Sequence, residues 1–166
     1  GLAKRTLTKE GPHPLEEFQH CIDLNLISAF NISRLVAAKM AENEPNDEGE
    51  RGCIINTASI AAFEGQIGQV GYSAAKAGIA GMTFVMARDL GSVGVRANAI
   101  APSLFDTGLT KGIPDEFANA LVKDAAFPKR MGLPKHYAIQ AISIYENAMM
   151  NGGTVRVDAG QRFAPK

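Results

Sequence analysis

The chain has 166 residues, of which 46% are hydrophobic and 20% charged, a balance that suits one globular domain able to bury a core. Its 17 basic and 17 acidic residues cancel, which argues against nucleic acid or an anionic membrane surface as a partner. No apolar stretch approaches the ~20 residues that span a bilayer and no secretory signal is seen, so a cytoplasmic protein, or one of the mitochondrial matrix in a eukaryote, is the default expectation.

Residues 1–11, GLAKRTLTKEG, are polar and show neither strand nor helix periodicity. Pro14 to about Glu42 reads as one long helix, with Pro12 and Pro14 at its entrance and an apolar stripe of Leu15, Phe18, Ile22, Ala29, Leu35, Val36 and Met40. Asn25 lies within that stripe, where a polar amide is a satisfied core residue, a break in the helix or a holder of water; the pattern leaves these open. Residues 43–52 form a polar loop, and the apolar run Cys53 to Ala58 a buried strand.

A glycine-containing loop from Ala62 to Gly71 leads into a helix of small and apolar residues, Tyr72 to about Leu90, stopped by Gly91-Ser92-Val93-Gly94. Val95 to Ala101 is a second strand, ended by Pro102. Ser103 to Pro128 is a long connection with a helix from Asp115 to Lys123. A helix from Pro134 to Met149 and a strand from Thr154 to Asp158 complete the chain. Strand, helix, strand, helix, strand predicts an α/β fold, a Rossmann-like parallel sheet with helices on both faces, whose ligands gather at the carboxyl ends of the strands.

Three residues concentrate chemistry at that edge. Ser59 ends the first strand; Tyr72 follows thirteen residues later and Lys76 one helical turn after it. Residues four apart share a helix face, so the phenol and the ammonium point the same way. A cation about 4 Å from a phenol favours the phenolate by roughly 4 kcal/mol at an effective dielectric of ~20, which makes proton transfer feasible near neutrality. Tyr-x-x-x-Lys alone is a weak signal, since an amphipathic tyrosine and a solvated lysine give the same spacing. The serine at the strand end strengthens it. Cys21 and Cys53 lack metal-ligand spacing and are expected as reduced core residues, and His13, His20 and His136 are too scattered for a metal site.

Asn25, Ser59, Tyr72 and Lys76, with the strand Val95-Arg96-Ala97-Asn98-Ala99-Ile100-Ala101-Pro102, resemble the classical short-chain dehydrogenase/reductases in order and approximate spacing. The segments Arg51 to Ser59 and Ala61 to Gln66, with Asn43-Glu44-Pro45 and Asn151-Gly152, narrow the likeness to members acting on 3-hydroxyacyl-CoA or hydroxysteroids. The family's glycine-rich turn and its ribose-reading acidic residue have no counterpart in these 166 residues. The chain is therefore expected to be the carboxyl-terminal part of a single Rossmann-like NAD(P)-binding domain, with the amino-terminal part of the fold missing. Ser103 stands where the family usually has glycine, and Ala159 replaces the first glycine of a common Asp-Gly-Gly.

The resemblance implies reversible hydride transfer between NAD and a secondary alcohol, NADP not being excluded. Tyr72 would be the general acid/base, Lys76 its tuner and the holder of the nicotinamide ribose, and Ser59 the orienting donor. Asn25 would anchor a relay water. Pro102, Leu104, Phe105 and Thr107 would line the nicotinamide side, Gln66 would join Ser59 and Tyr72 on the substrate, and residues 103–128 would form a lid. It also implies a homotetramer, formed through the long helix and the small residues Ala74, Ala75, Ala77, Gly78, Ala80 and Gly81. The alternatives are a 3-oxoacyl-[acyl-carrier-protein] reductase using NADPH and a non-catalytic interaction module or inactive fragment.

Overall fold

The computed structural model describes residues 3–108, 110 and 114–164, the side chains of Asp115 and Phe117 excepted. Three strands, β3 (Gly52–Thr57), β4 (Val95–Pro102) and β5 (Thr154–Val157), form a parallel sheet in the order β3-β4-β5. Gly52 pairs with Val95 and Thr57 with Ile100, while Ala99 pairs with Thr154 and Pro102 with Val157. β4 is central, and every residue from Val95 to Ala101 is buried, which is why it reads as an unbroken run with no polar face.

The strand's period of two sorts its side chains. Val95, Ala97, Ala99 and Ala101 lie in the core clusters that also hold Ile54, Ala58, Ile79, Met86 and Ala87, under the helices α2 (Ser28–Met40) and α3 (Val70–Gly91). Arg96 and Asn98 reach the other way, to the carboxyl end of α5 (Pro134–Glu146) and the turn after it. Helices thus cover both faces. A further helix, α4 (Asp115–Val122), stands in the connection between β4 and α5.

The long amino-terminal helix is continuous from Leu15 to Met40 but not regular: α1 (Leu15–Ile22) passes through a π turn, Asp23–Ile27, into α2. Asn25 sits in that turn and its Nδ2 donates to the Cys21 carbonyl at 3.0 Å. Among the roles left open for this amide, the break is realised as a π bulge, a distortion that often marks functional sites, and the Cys21 carbonyl satisfies its Nδ2. This helix also corrects the expectation about apolar length. It is 26 residues long, and an 18-residue window within it has a mean hydropathy of 1.3, enough by length and composition alone to cross a membrane.

α3 begins two residues earlier than expected, so Lys76 falls in its second turn. Its small residues serve two faces. A Cβ on Gly78 would lie 2.6 Å from Leu26 Cδ2, and one on Gly71 would lie 3.3 Å from Cys21 Cβ, so both glycines permit close approach of the long helix. Ala74, Ala77 and Gly81 are exposed instead. Leu24, Ile27, Phe30, Ile32 and Leu35 of the long helix and Phe84 and Val85 of α3 are also exposed, each about half or more.

Two further elements correct the sequence reading. Residues 1–11 were expected to be irregular, yet a small antiparallel hairpin joins β1 (Leu7–Thr8) to β2 (Gly11–Pro12), with Gly11 at φ 124° and the Thr8 hydroxyl held to the Gly11 carbonyl. Two-residue strands carry too little alternation to be read. Between Ser59 and the loop stands a 3₁₀ turn, Ile60–Ala62. Helix α5 stops at Glu146 rather than Met149 because Asn147 is extended, at φ −101° and ψ 96°.

Candidate functional site

The carboxyl ends of β3 and β4 lie side by side, with the Ala58 amide bonded to the Ile100 carbonyl at 2.8 Å. This places Ser59 and Pro102 on one edge. Ser59 is the N-cap of the 3₁₀ turn and its Oγ accepts from the Ala61 amide at 3.1 Å. That bond fixes the hydroxyl by one lone pair and leaves its proton free to be donated elsewhere.

Tyr72 and Lys76 lie on one face of α3, with the Lys76 ammonium 5.6 Å from the centroid of the Tyr72 ring. Lys76 Nζ donates to the Thr57 carbonyl at 2.8 Å, two residues before Ser59. The ammonium therefore ties the tyrosine helix to the end of the serine strand, and two of its three protons remain for other acceptors. Burial pushes the Lys76 pKa below its ordinary 10.5, partly offset by the nearby Cys21. Asn25 joins this neighbourhood through the long helix: Cys21, which its amide holds, packs on Gly71, and Leu26 packs on Gly78.

The depressed Lys76 pKa predicts a pH dependence of stability. Between the folded pKa and 10.5 the unfolded chain binds more protons, so the Lys76 contribution to stability rises with pH through that window. Replacing Lys76 with methionine removes the buried charge. Urea unfolding of Lys76→Met and parent should show the variant's relative stability decreasing as the pH rises toward 10.5; a pH-independent difference would contradict the burial of the ammonium.

The segment expected on the nicotinamide side leaves the same edge. Ser103 N donates to the Val157 carbonyl, Asp106 N to that of Gly132, and Gly132 N to that of Leu104, so Leu104 and Phe105 are strapped to residue 132. A Cβ on Gly132 would lie 2.7 Å from the Phe105 ring, which makes glycine the residue that fits there. Thr110 Oγ1 accepts from the Thr107 amide at 2.8 Å, and its one proton has the Thr107 carbonyl at 2.9 Å and the Phe105 carbonyl at 3.2 Å within reach. Within the expected lid, residues 109 and 111–113 lie outside the described residues.

Phe105 and Ser103 line a cavity of ≈ 350 Å³ with Pro128, Met131, His136 and Asp158. Gln66 instead lines a separate, open cleft of ≈ 580 Å³ with Arg5, Gln69 and Ser73, next to the start of α3. Ser59, Tyr72 and Lys76 line neither of these two. The structure thus gathers Asn25, Ser59, Tyr72 and Lys76 around the ends of β3 and α3, brings Pro102 beside them, and sets Gln66 off on the loop. A charge cluster that sequence reading missed also stands here. Arg156 of β5 binds Glu64 of the loop after Ser59 and, at 2.6 Å, Asp158.

Comparisons with known proteins agree with this fold. A 3-hydroxyacyl-CoA dehydrogenase type-2 from Bos taurus is 50% identical over 159 residues, covering 96% of this chain and 61% of the relative. The crystal structure of a 3-hydroxyacyl-CoA dehydrogenase type-2 from Mycobacterium avium superposes with a TM-score of 0.95 at 44% identity, covering 100% of this chain and 65% of that one. A more distant neighbour is a 3-oxoacyl-[acyl-carrier protein] reductase with bound NAD from Brucella melitensis, at 30% identity and a TM-score of 0.77, with 98% and 57% covered. The chain spans about three fifths of the length of the curated relatives it matches. Residues 5–118 match the family model described as short chain dehydrogenase, and the chain belongs to that family.

Proposed function

We propose that the protein containing this chain oxidises the secondary alcohol of a 3-hydroxyacyl-CoA to the ketone, and runs the reverse reduction, with NAD as the hydride partner. The observation that carries the reading is the bond from Lys76 to Thr57, which holds the tyrosine helix against the strand that ends in Ser59. The 50% identity to proteins named for that activity supports the substrate class.

The residues at the edge fit a nicotinamide cofactor. Lys76 is half-buried and uses one proton on Thr57, so its remaining donors suit the two hydroxyls of a ribose. When bound, NAD supplies the hydride acceptor. The chain's own residues handle the proton: Tyr72, as the phenolate that the Lys76 charge favours, takes it from the substrate hydroxyl as the carbon loses hydride and becomes the phenol, which gives it back in the reverse reduction. Ser59 donates to the same substrate oxygen from a hydroxyl already fixed by Ala61. Asn25, at the π turn, anchors water that returns the proton to solvent. Pro102, Leu104, Phe105 and Thr107 shape the nicotinamide side, Gln66 contacts substrate, and residues 103–128 close over it.

The exposed apolar side chains of the long helix and α3 suit a homotetramer interface, with Ala74, Ala77 and Gly81 allowing close approach. One preparation of the full-length gene product tests these readings. NADH formation from a 3-hydroxyacyl-CoA and NAD should exceed that with NADP, and reduction of a 3-oxoacyl carrier-protein thioester with NADPH should be slower. Light scattering should give four subunits. Preference for the carrier-protein substrate with NADPH would replace the substrate reading, and monomer at micromolar concentration would end the tetramer.

A further inference from the structure

The charge cluster at the end of β5 joins two segments, the loop after Ser59 and the end of α4, that the strands alone would not tie together. Arg156 lies on the strand farthest from Ser59 in the sheet, since β4 stands between β3 and β5. Its side chain nevertheless crosses the end of β4. Nη2 donates to Glu64 Oε1 and, at 3.1 Å, to the Gln161 carbonyl, while Nε donates to Asp158 Oδ2 at 2.6 Å. The guanidinium also stands 5.5 Å from the centroid of Phe63. Arg162 adds a second cation, donating to Asp158 at 3.0 Å and standing 3.7 Å from Glu64.

Glu64 and Phe63 belong to the segment between Ser59 and Tyr72. The turn after β5 holds the other side: Gln161, 1% exposed, donates from Nε2 to the Leu121 carbonyl at the end of α4, and the Ala126 and Phe127 amides donate to the Ala159 carbonyl. The turn is built for this, with Ala159 at φ 54° and Gly160 at φ 69°, its Gly160 amide bonded to Asp158 Oδ1.

We propose that Arg156 is a positioning residue: through Glu64 it holds the Ser59–Tyr72 segment, and through the Asp158–Gln161 turn it ties that segment to the 121–127 end of the lid. This rests on the oxidoreductase reading for its kinetic consequence but not for its structural one. Arginine suits the task because its planar fork engages two carboxylates and a carbonyl at once, which lysine cannot do. The geometry makes the Glu64 carboxylate the transmitting group, so the two residues should act as a unit.

The test uses the full-length gene product with Arg156→Met, Glu64→Ala, the milder Glu64→Gln and the Arg156→Met/Glu64→Ala pair. Each single truncation should lower kcat by roughly 10- to 100-fold, the size of effect that small misplacement of a reacting group produces, with KM for NAD within about twofold. The double variant should be no slower than the worse single one, because the Arg156–Glu64 pair is already lost in either. Hydrogen exchange followed by mass spectrometry should show faster exchange in residues 60–69 and 121–127 of the variants. Glu64→Gln, which keeps an acceptor, should retain folding and show a smaller change of the same sign. Unchanged exchange in both segments, or losses in kcat that multiply in the double variant, would overturn the proposal. If the parent turns over no hydroxyacyl-CoA, the functional reading fails while exchange still decides the clamp.

Discussion

Tyr72→Phe in the full-length protein should lose about 10²- to 10⁴-fold in kcat while NAD still binds with near-parent affinity. The substitution deletes one oxygen from a half-buried ring and opens no large cavity, so the helix and its contacts remain. Lys76 keeps its bond to Thr57 and its place beneath the ring, which preserves the group expected to hold the ribose. What disappears is the only phenol at this edge that shares a helix face with an ammonium among the described residues. Single-turnover kinetics with calorimetric titration of NAD separates the two effects. Activity within tenfold of the parent would sink the assignment of Tyr72 as the acid/base, and loss of NAD affinity in equal measure would show that the phenol oxygen serves binding.

The main strands and helices were legible because their signals are local. β4 announces itself as an apolar run between glycine and proline, and α3 as a run of small and apolar residues, so their bounds were read to within about two residues. Ser59, Tyr72 and Lys76 were legible for the same reason, since a spacing within one helix and a strand end suffice to place them. The π turn was half legible: Asn25 was marked as odd within its stripe, but the insertion of a residue into the helical ladder depends on packing against Gly71 and Gly78, which lie some fifty residues on. Arg156 was invisible because its partner Glu64 is 92 residues away and on the far side of β4. No local pattern distinguishes a half-buried arginine that clamps a loop from an arginine on a solvated strand end. Arg96 reads locally only as a member of a strand, for the same reason.

Arg96→Met should destabilise the chain by about 3–5 kcal/mol, the loss typical of breaking a buried ion pair by removing one partner. Arg96 is 6% exposed, and its Nε and Nη2 grip the two oxygens of Glu50 at 2.6 and 3.1 Å. The rest of the fork ends a helix: Nη1 donates to the carbonyls of Ile144 and Met150, each at 2.8 Å, and Nη2 to that of Tyr145 at 2.9 Å. The last carbonyls of α5 have no partners within their own helix, so Arg96 supplies both their hydrogen bonds and a positive charge at the negative end of the helix dipole. Burial alone would lower the Arg96 pKa, but the bond to Glu50 and its charge outweigh this and raise it, as expected of a cation held by its partner. Methionine fills the space and leaves Glu50 and the carbonyls unpaired. Lysine cannot reach them together, so Arg96→Lys should recover little. Replacing Glu50 with leucine in the Arg96→Met background should regain part of the loss, because the uncompensated carboxylate goes with it. Arg96 pairs with Cys53, near the opposite end of β4 from Pro102, so kcat per folded molecule should hold within about twofold even as the urea midpoint falls. A stability loss under about 1 kcal/mol would mean that the carbonyls find other donors and that the arginine is not the cap of α5.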